Sequence, residues 1–257
     1  MQKISILVPA YNEESTIGTI LDKLLALPFS NCEIIVVDDG SKDNTVAVVR
    51  EYASKSPRIR LFLSTVNAGK TAAIARAISE SSGDVLIVQD ADLEYDPREI
   101  ADVIAPILED VADVVYGSRF MVKRASRVLY YYHYLANKFL TCLSNILTNR
   151  NMSDIETCYK AFRREVIVPL RLTSHGFGME VEITAMVCKT RARTYEVPIS
   201  YYGRTYEEGK KIGMWDGVAA IWYILYFNLI HPWTNEGSEY IRTVNASLKS
   251  RSCLTIS

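Results

Sequence analysis

With 257 residues, the chain is long enough for one α/β domain with a full core and a smaller appendage. Its 30 acidic and 29 basic residues nearly balance, so charge gives no basis for a nucleic-acid partner. Five scattered cysteines (Cys32, Cys142, Cys158, Cys188, Cys253), odd in number and without a Cys-x-x-Cys pair, suit a reduced, cytoplasmic setting better than a disulfide scaffold.

The N-terminus enters an apolar run at once, with no signal peptide expected ahead of it. Short β-branched runs predict strands over Ile4–Pro9, Glu33–Asp38, Ile59–Leu63, Val85–Gln89 and Asp113–Tyr116. Between them, helical spacing of apolar positions predicts Ser15–Leu27, Asn44–Ser54, Thr71–Ser82 and Pro97–Leu108. Ser15 and either Asp43 or Asn44 are expected N-caps, and Pro97 suits a first turn. This alternation argues for an α/β fold with a mostly parallel sheet covered on both faces.

Such sheets bind ligands beyond the carboxyl ends of their strands. Tyr11-Asn12-Glu13, Asp38-Asp39-Gly40-Ser41, Asn67-Ala68-Gly69-Lys70 and Asp90-Ala91-Asp92 follow the first four strands, so one rim of the sheet is expected to gather all four. The most informative of them closes Val85-Leu86-Ile87-Val88-Gln89. In extended backbone, side chains two apart point the same way, so Asp90 and Asp92 can converge on one cation, with Glu94 on the same parity. A few hard oxygen ligands suit Mg²⁺ or Mn²⁺ shared with substrate phosphates. The plainer expectation is that the two aspartates cap the following turn.

Beyond residue 120 the pattern changes. Apolar positions from Ser126 to Leu147 predict an amphipathic helix with a basic, tyrosine-rich start: Lys123, Arg124, Arg127, Tyr130, Tyr131, Tyr132 and Tyr134. It either covers the sheet or rests on a membrane surface. Glu180 and Glu182 begin a helix expected over Met179–Cys188, where acidic residues also suit the helix dipole. The apolar stretch Val218–Ile230 is shorter than the roughly 20 residues a spanning helix needs, but can lie on a membrane. The sequence therefore divides into a domain over 1–213, an apolar, membrane-interfacial segment over 214–233, and a polar, unpatterned tail over 234–257 that is expected to be mobile.

With these residues in order, the chain resembles the family 2 glycosyltransferases of the GT-A fold, and within them the polyprenyl-phosphate (dolichyl-phosphate) mannosyltransferase branch. The resemblance runs from about residue 3 to 217, through Ile6-Leu7-Val8-Pro9-Ala10-Tyr11-Asn12-Glu13, Val36-Val37-Asp38-Asp39-Gly40-Ser41, Asn67-Ala68-Gly69-Lys70 and Asp90-Ala91-Asp92-Leu93-Glu94. It continues through Gly117-Ser118-Arg119, Thr157-Cys158-Tyr159-Lys160-Ala161-Phe162-Arg163 and Arg204-Thr205-Tyr206-Glu207-Glu208-Gly209-Lys210. It implies an inverting transfer from a GDP- or UDP-linked sugar with Mg²⁺ or Mn²⁺. Pro9, Tyr11, Glu13 and Asp39 would hold base and ribose; Asp90 would face nucleotide and sugar; Asp92 would bind the metal with Glu94, where the branch often has Gln. Arg119 would approach an acceptor phosphate, and Arg204 with Lys210 the donor diphosphate; Lys70 can reach a phosphate or sugar. Lys160 stands where the branch has Arg, keeping the charge without the fork.

A polyprenyl phosphate acceptor is implied, with peripheral attachment to the cytoplasmic face of a membrane. Many relatives continue into spanning helices that this sequence lacks, which keeps a hydroxyl acceptor in view. That acceptor would require a base, for which Asp154, Glu180 and Glu182 are the candidates, Glu180 favoured. A catalytically silent membrane-surface module is a third possibility. A P-loop is disfavoured because Ser64 stands where its first glycine belongs, and no Gly-x-Gly-x-x-Gly fingerprint follows a strand. The glycine-rich loop of sugar-phosphate nucleotidyltransferases is missing after the first strand. His133, His175 and His231 are isolated and read as structural.

Overall fold

The computed structural model describes residues 2–121, 127–128, 130–176, 178–203 and 214–254. Three strands form the centre of its sheet: β1 (Ile4–Ala10), β2 (Cys32–Asp38) and β4 (Val85–Val88), buried along nearly their whole length. Apolar residues on both faces of a strand require cover on both faces, and parallel sheets have it. β3 (Ile59–Leu63) forms one edge; β5 (Val114–Ser118), β6 (Lys160–Arg163) and β7 (Thr194–Pro198) complete a seven-stranded sheet ordered β3-β2-β1-β4-β6-β5-β7. β6 runs antiparallel to β4 and β5, while the remaining pairs are parallel. The fold is the mostly parallel α/β architecture expected.

Helices α1 (Ile17–Leu25), α2 (Thr45–Lys55), α3 (Lys70–Glu80) and α4 (Ile100–Leu108) fill the predicted intervals, α4 entered through a 3₁₀ turn at Pro97–Glu99. The first N-cap is Thr16 rather than Ser15; at the second, Asn44 occupies the cap and the Asp43 carboxylate accepts the Thr45 amide. In the second half, α5 (Tyr131–Thr148) is followed by β6, α6 (Arg164–Ile167) and α7 (Gly178–Cys188). The predicted start of α5 at Ser126 lies outside the described residues. After β7 come α8 (Met214–Leu229), a 3₁₀ turn at His231–Trp233 and α9 (Asn235–Leu254).

Two elements depart from expectation. β6 has charged ends and is not among the predicted strands; Lys160 and Arg163 are buried because carbonyls accept their hydrogen bonds, Ile155 and Thr157 for Lys160, Ile107 and Ala112 for Arg163. The polar C-terminal segment is helix α9 rather than unpatterned. Its narrow seam Tyr240, Ile241, Val244, Leu248 packs on the core, and Arg251 reaches Glu165 and Asp110. Apolar groups are few there, but their spacing is that of one helix face.

α8 packs on the core along one face and leaves the other apolar face open. Ala220, Ile224 and Phe227 are buried, whereas Val218, Trp222, Leu225 and Leu229 are exposed. α5, packed against α8, likewise exposes Tyr131, Leu135, Phe139 and Ile146. Among the described residues no helix is long and apolar enough to cross a membrane.

Candidate active site

The carboxyl ends of β1, β2 and β4 and the loop after β3 bring the four polar clusters to one rim. At the first, Asn12 takes a left-handed backbone (φ 54°), its amide donating to Ser41 and its side-chain oxygen accepting the Lys42 amide. The Glu13 amide donates to Thr45, and its carboxylate accepts from Thr16. These bonds lock Tyr11–Glu13, which follows Pro9, against the start of α2. At the second cluster, Asp39 accepts the amides of Ala68 at 3.0 Å and Gly69 at 2.7 Å. In this structure Asp39 thus shapes the loop that delivers Lys70, a role distinct from the ribose contact implied by resemblance. Asp38 accepts from Gly40 and Ser41 through Oδ2, while its Oδ1 is buried without a partner.

Gly69 turns the chain with φ +90°, a conformation that favours glycine, and Lys70 opens α3. The Lys70 ammonium lies 2.9 Å from Asp90 and 3.1 Å from Glu180, joining three elements. Burial opposes its charge, but Asp90 and Glu180 outweigh burial and hold the ammonium protonated.

The extended backbone that would aim Asp90 and Asp92 alike is not present. β4 stops at Val88 and the chain turns through Ala91–Asp92, with Leu93 left-handed (φ 63°). Asp90 therefore meets Lys70, while Asp92 Oδ1 accepts the Glu94 amide at 3.1 Å, the turn-capping role of an aspartate. Glu94 accepts the Tyr201 hydroxyl at 2.8 Å. Among the described residues no three potential ligands form a metal cage. Asp92 and Glu94 supply hard oxygen donors of the type Mg²⁺ takes when a diphosphate provides the remaining oxygens, and too few of them to hold a cation by protein alone.

The other side of the rim is built by β5 and the loop before β6. Arg119 donates to Asp154 from Nε at 2.7 Å and Nη2 at 2.8 Å, and its backbone amide donates to the same carboxylate. Asp154 is fully buried. Burial alone would raise its pKa, but the guanidinium and its hydrogen bonds hold the carboxyl below the usual range. The same guanidinium lies 5.1 Å over the Tyr201 ring. Tyr95 packs on both Tyr159 and Tyr201.

Of the candidate bases, Asp154 is thus committed to Arg119. Glu182 accepts four bonds from Thr173 and Ser174 at the entrance to α7 and is structural. Glu180, in the first turn of α7, shares Lys70, but its Oε2 is buried and unpartnered. Lys160 points beneath the loop, not at a ligand. Glu156, which sequence reasoning passed over, has a buried, unpartnered Oε1. Burial first, then the Glu180 charge, raises its carboxyl to about 7. Its only sequence signal was its place beside Thr157-Cys158-Tyr159-Lys160. Arg204 and Lys210 lie outside the described residues.

The model of "Glycosyl transferase family 2" matches residues 5–169. A dolichol-phosphate mannosyltransferase of Pyrococcus furiosus is 31% identical over 214 residues, covering 82% of this chain and 60% of the relative. An undecaprenyl-phosphate 4-deoxy-4-formamido-L-arabinose transferase of Proteus mirabilis is 29% identical over 218 residues, covering 82% and 63%. The chain therefore spans 60% to 63% of the length of these curated relatives. Among solved structures, glucosyl-3-phosphoglycerate synthase from Mycobacterium tuberculosis with Mn²⁺ and UDP-glucose superposes with a TM-score of 0.69 at 21% identity, covering 88% of this chain and 79% of that one. Its complex with Mg²⁺ and UDP gives 0.68 at 21% identity, with the same coverage. These last two likenesses are of fold.

Proposed function

The chain belongs to glycosyl transferase family 2 and has the GT-A fold, and on that premise we propose that it moves a sugar from a GDP- or UDP-linked donor to a polyprenyl phosphate, with inversion at the anomeric carbon. The observation that carries the choice of acceptor is the Arg119–Asp154 pair. Asp154 is neutralised and a poor base, whereas Arg119 keeps its Nη1 edge for a further anion. A phosphate monoester attacks through an oxygen that is already anionic, so no carboxylate need remove a proton. The names of the curated relatives support the same acceptor class.

On the donor side, Pro9, Tyr11 and Glu13 line the start of the rim, and Asp39 holds the loop that places Lys70. Asp92 and Glu94 would hold Mg²⁺ or Mn²⁺ together with the donor diphosphate. When bound, the ion neutralises charge that builds on the leaving nucleoside diphosphate. Arg204 and Lys210 are proposed for the same diphosphate on the resemblance of their segment. Asp90, fixed by Lys70, would face the sugar.

The exposed apolar stripes of α5 and α8, with Trp233 86% exposed beyond α8, support peripheral attachment to a membrane surface from which a lipid acceptor is reached. The cytoplasmic face is proposed for it, since soluble nucleotide sugars would be met there.

The test follows nucleoside diphosphate release from a panel of GDP- and UDP-sugars with Mg²⁺ or Mn²⁺, with and without a polyprenyl phosphate. The expected outcome is release stimulated by the lipid and reduced at least about a hundredfold in Asp92→Ala, the scale for lost transition-state charge stabilisation. Release indifferent to the lipid would move the acceptor to a hydroxyl, with Glu180 or Glu156 as base. No release from any donor would refute transfer.

A further inference from the structure

Buried polar atoms without partners are uncommon in folded proteins, because each costs the desolvation of that atom with no compensating bond. Here several border one rim: Asp38 Oδ1, Thr71 Oγ1, Glu156 Oε1, Thr157 Oγ1 and Glu180 Oε2. Two of them are carboxyl oxygens, one in the loop before β6 and one in the first turn of α7. Glu180 is only 3% exposed, so water does not solvate the oxygen that Lys70 leaves open.

Neither carboxylate is loosely placed. Around Glu156, Asp154 is gripped by Arg119, the carbonyls of Ile155 and Thr157 accept from Lys160, and the Cys158 amide donates to the Tyr95 hydroxyl. The buried ammonium of Lys160 thus acts as an internal strut that fixes the backbone on both sides of Glu156. Glu180 is held by Lys70, which Asp90 anchors in turn. The charges that act on Glu156 are those of Glu180, Lys160, Arg119 and Asp154. A rigid loop whose unsatisfied side chains, Glu156 and Thr157, both carry an acceptor is preorganised for a donor-bearing ligand.

The chemistry of that ligand follows from charge. The Glu180 carboxylate repels a diphosphate and the Glu156 carboxyl offers it no positive charge, so the anionic part of a donor must lie elsewhere on the rim. What satisfies orphaned carboxylate oxygens, threonine hydroxyls and an ammonium together is a neutral polyol, each hydroxyl of which donates once and accepts. Resting on the donor reading above, we infer that Glu156 and Glu180 form the subsite for hydroxyl groups of the transferred sugar and so decide which sugar is accepted. A sugar whose hydroxyl is absent or inverted would leave the carboxylate unpaired, a discrimination much larger than shape alone provides.

The experiment compares binding of a nucleoside diphosphate with binding of its hexose conjugate, by calorimetry with Mg²⁺, in the full chain and in Glu156→Gln and Glu180→Gln. In the parent chain the conjugate binds more tightly than the diphosphate. In Glu156→Gln the diphosphate affinity stays within about threefold, which also certifies folding, while in both variants the advantage of the conjugate shrinks about tenfold, the scale of one buried hydrogen bond left unmade. A sugar deoxygenated at the contacted hydroxyl loses the same advantage in the parent chain and no more in the variant. Should Glu180→Gln disturb the diphosphate by releasing Lys70, Glu156→Gln decides. A conjugate advantage unchanged in Glu156→Gln overturns the inference alone. Failure of every nucleoside diphosphate to bind the parent chain overturns the donor reading and this inference with it.

Discussion

At the scale of single residues, the rim shows charge used in pairs rather than singly. Asp154 and Arg119 illustrate the cost of separating such a pair: the carboxylate is fully buried and the guanidinium side chain only 12% exposed. Asp154→Ala would strand that cation, and a loss of roughly 3–5 kcal/mol in urea-unfolding stability is expected. The double change Arg119→Met with Asp154→Leu, which removes both charges, should recover most of it while leaving lipid-dependent transfer abolished. If the double variant were as unstable as the single one, packing rather than charge pairing would explain the loss. Much of this was legible in sequence: Asp90, Asp92, Arg119, Lys70 and Glu180 were all singled out, and the structure gathers Lys70, Asp90 and Glu180. The pairings were not legible. Asp154 was a candidate base until Arg119 was seen to hold it, and Glu156 stood out only once its oxygen was found buried without a donor.

At the scale of elements, periodicity carried the prediction wherever burial is one-sided. α1 to α4 and the strands they separate fall near their expected bounds, since a helix covering a sheet must repeat apolar residues on one face. β6 escaped because its charged ends are satisfied by carbonyls, near in sequence for Lys160 and more than 50 residues away for Arg163. α9 escaped because four apolar positions suffice when the remaining faces are solvated. The apolar stripes of α5 and α8 belong to this scale too, and they make a separate prediction. Leu135 and Trp222 are 49% and 59% exposed, so replacing both with Asp should leave the circular dichroism spectrum and thermal midpoint unchanged. It should also abolish flotation with liposomes containing anionic lipid, where the parent chain floats. Equal flotation of the variant and parent chains would refute docking through these two stripes.

For the molecule as a whole, two carboxylates tie stability to pH in opposite senses. Burial resists ionisation of Glu33, but bonds from Ser5, Ser82 and Lys3 bring its pKa down from 4.5 to about 2. A lowered folded pKa contributes stability above 4.5 that is lost as pH falls towards 2. Glu156 is raised to about 7 by burial and by Glu180, against Lys160 and Arg119, so the folded chain retains a proton there that the unfolded chain releases. That contribution declines as pH rises from 4.5 to 7. Thermal unfolding from pH 2 to 8 should therefore show Glu33→Gln less sensitive to acid than the parent, and Glu156→Gln gaining on the parent between pH 4.5 and 7. Parallel curves for all three would refute both assignments. The sequence by itself determined the α/β class, the order of the first strands and helices, the rim on which polar clusters meet and the family, because these depend on local periodicity and on residues near in the chain. Only the tertiary structure decided that Lys70 bridges Asp90 to Glu180, that Arg119 neutralises Asp154, and that Glu156 and Glu180 retain unpaired oxygens. Those facts rest on distances between segments up to 110 residues apart, and on burial from water, which no local pattern encodes.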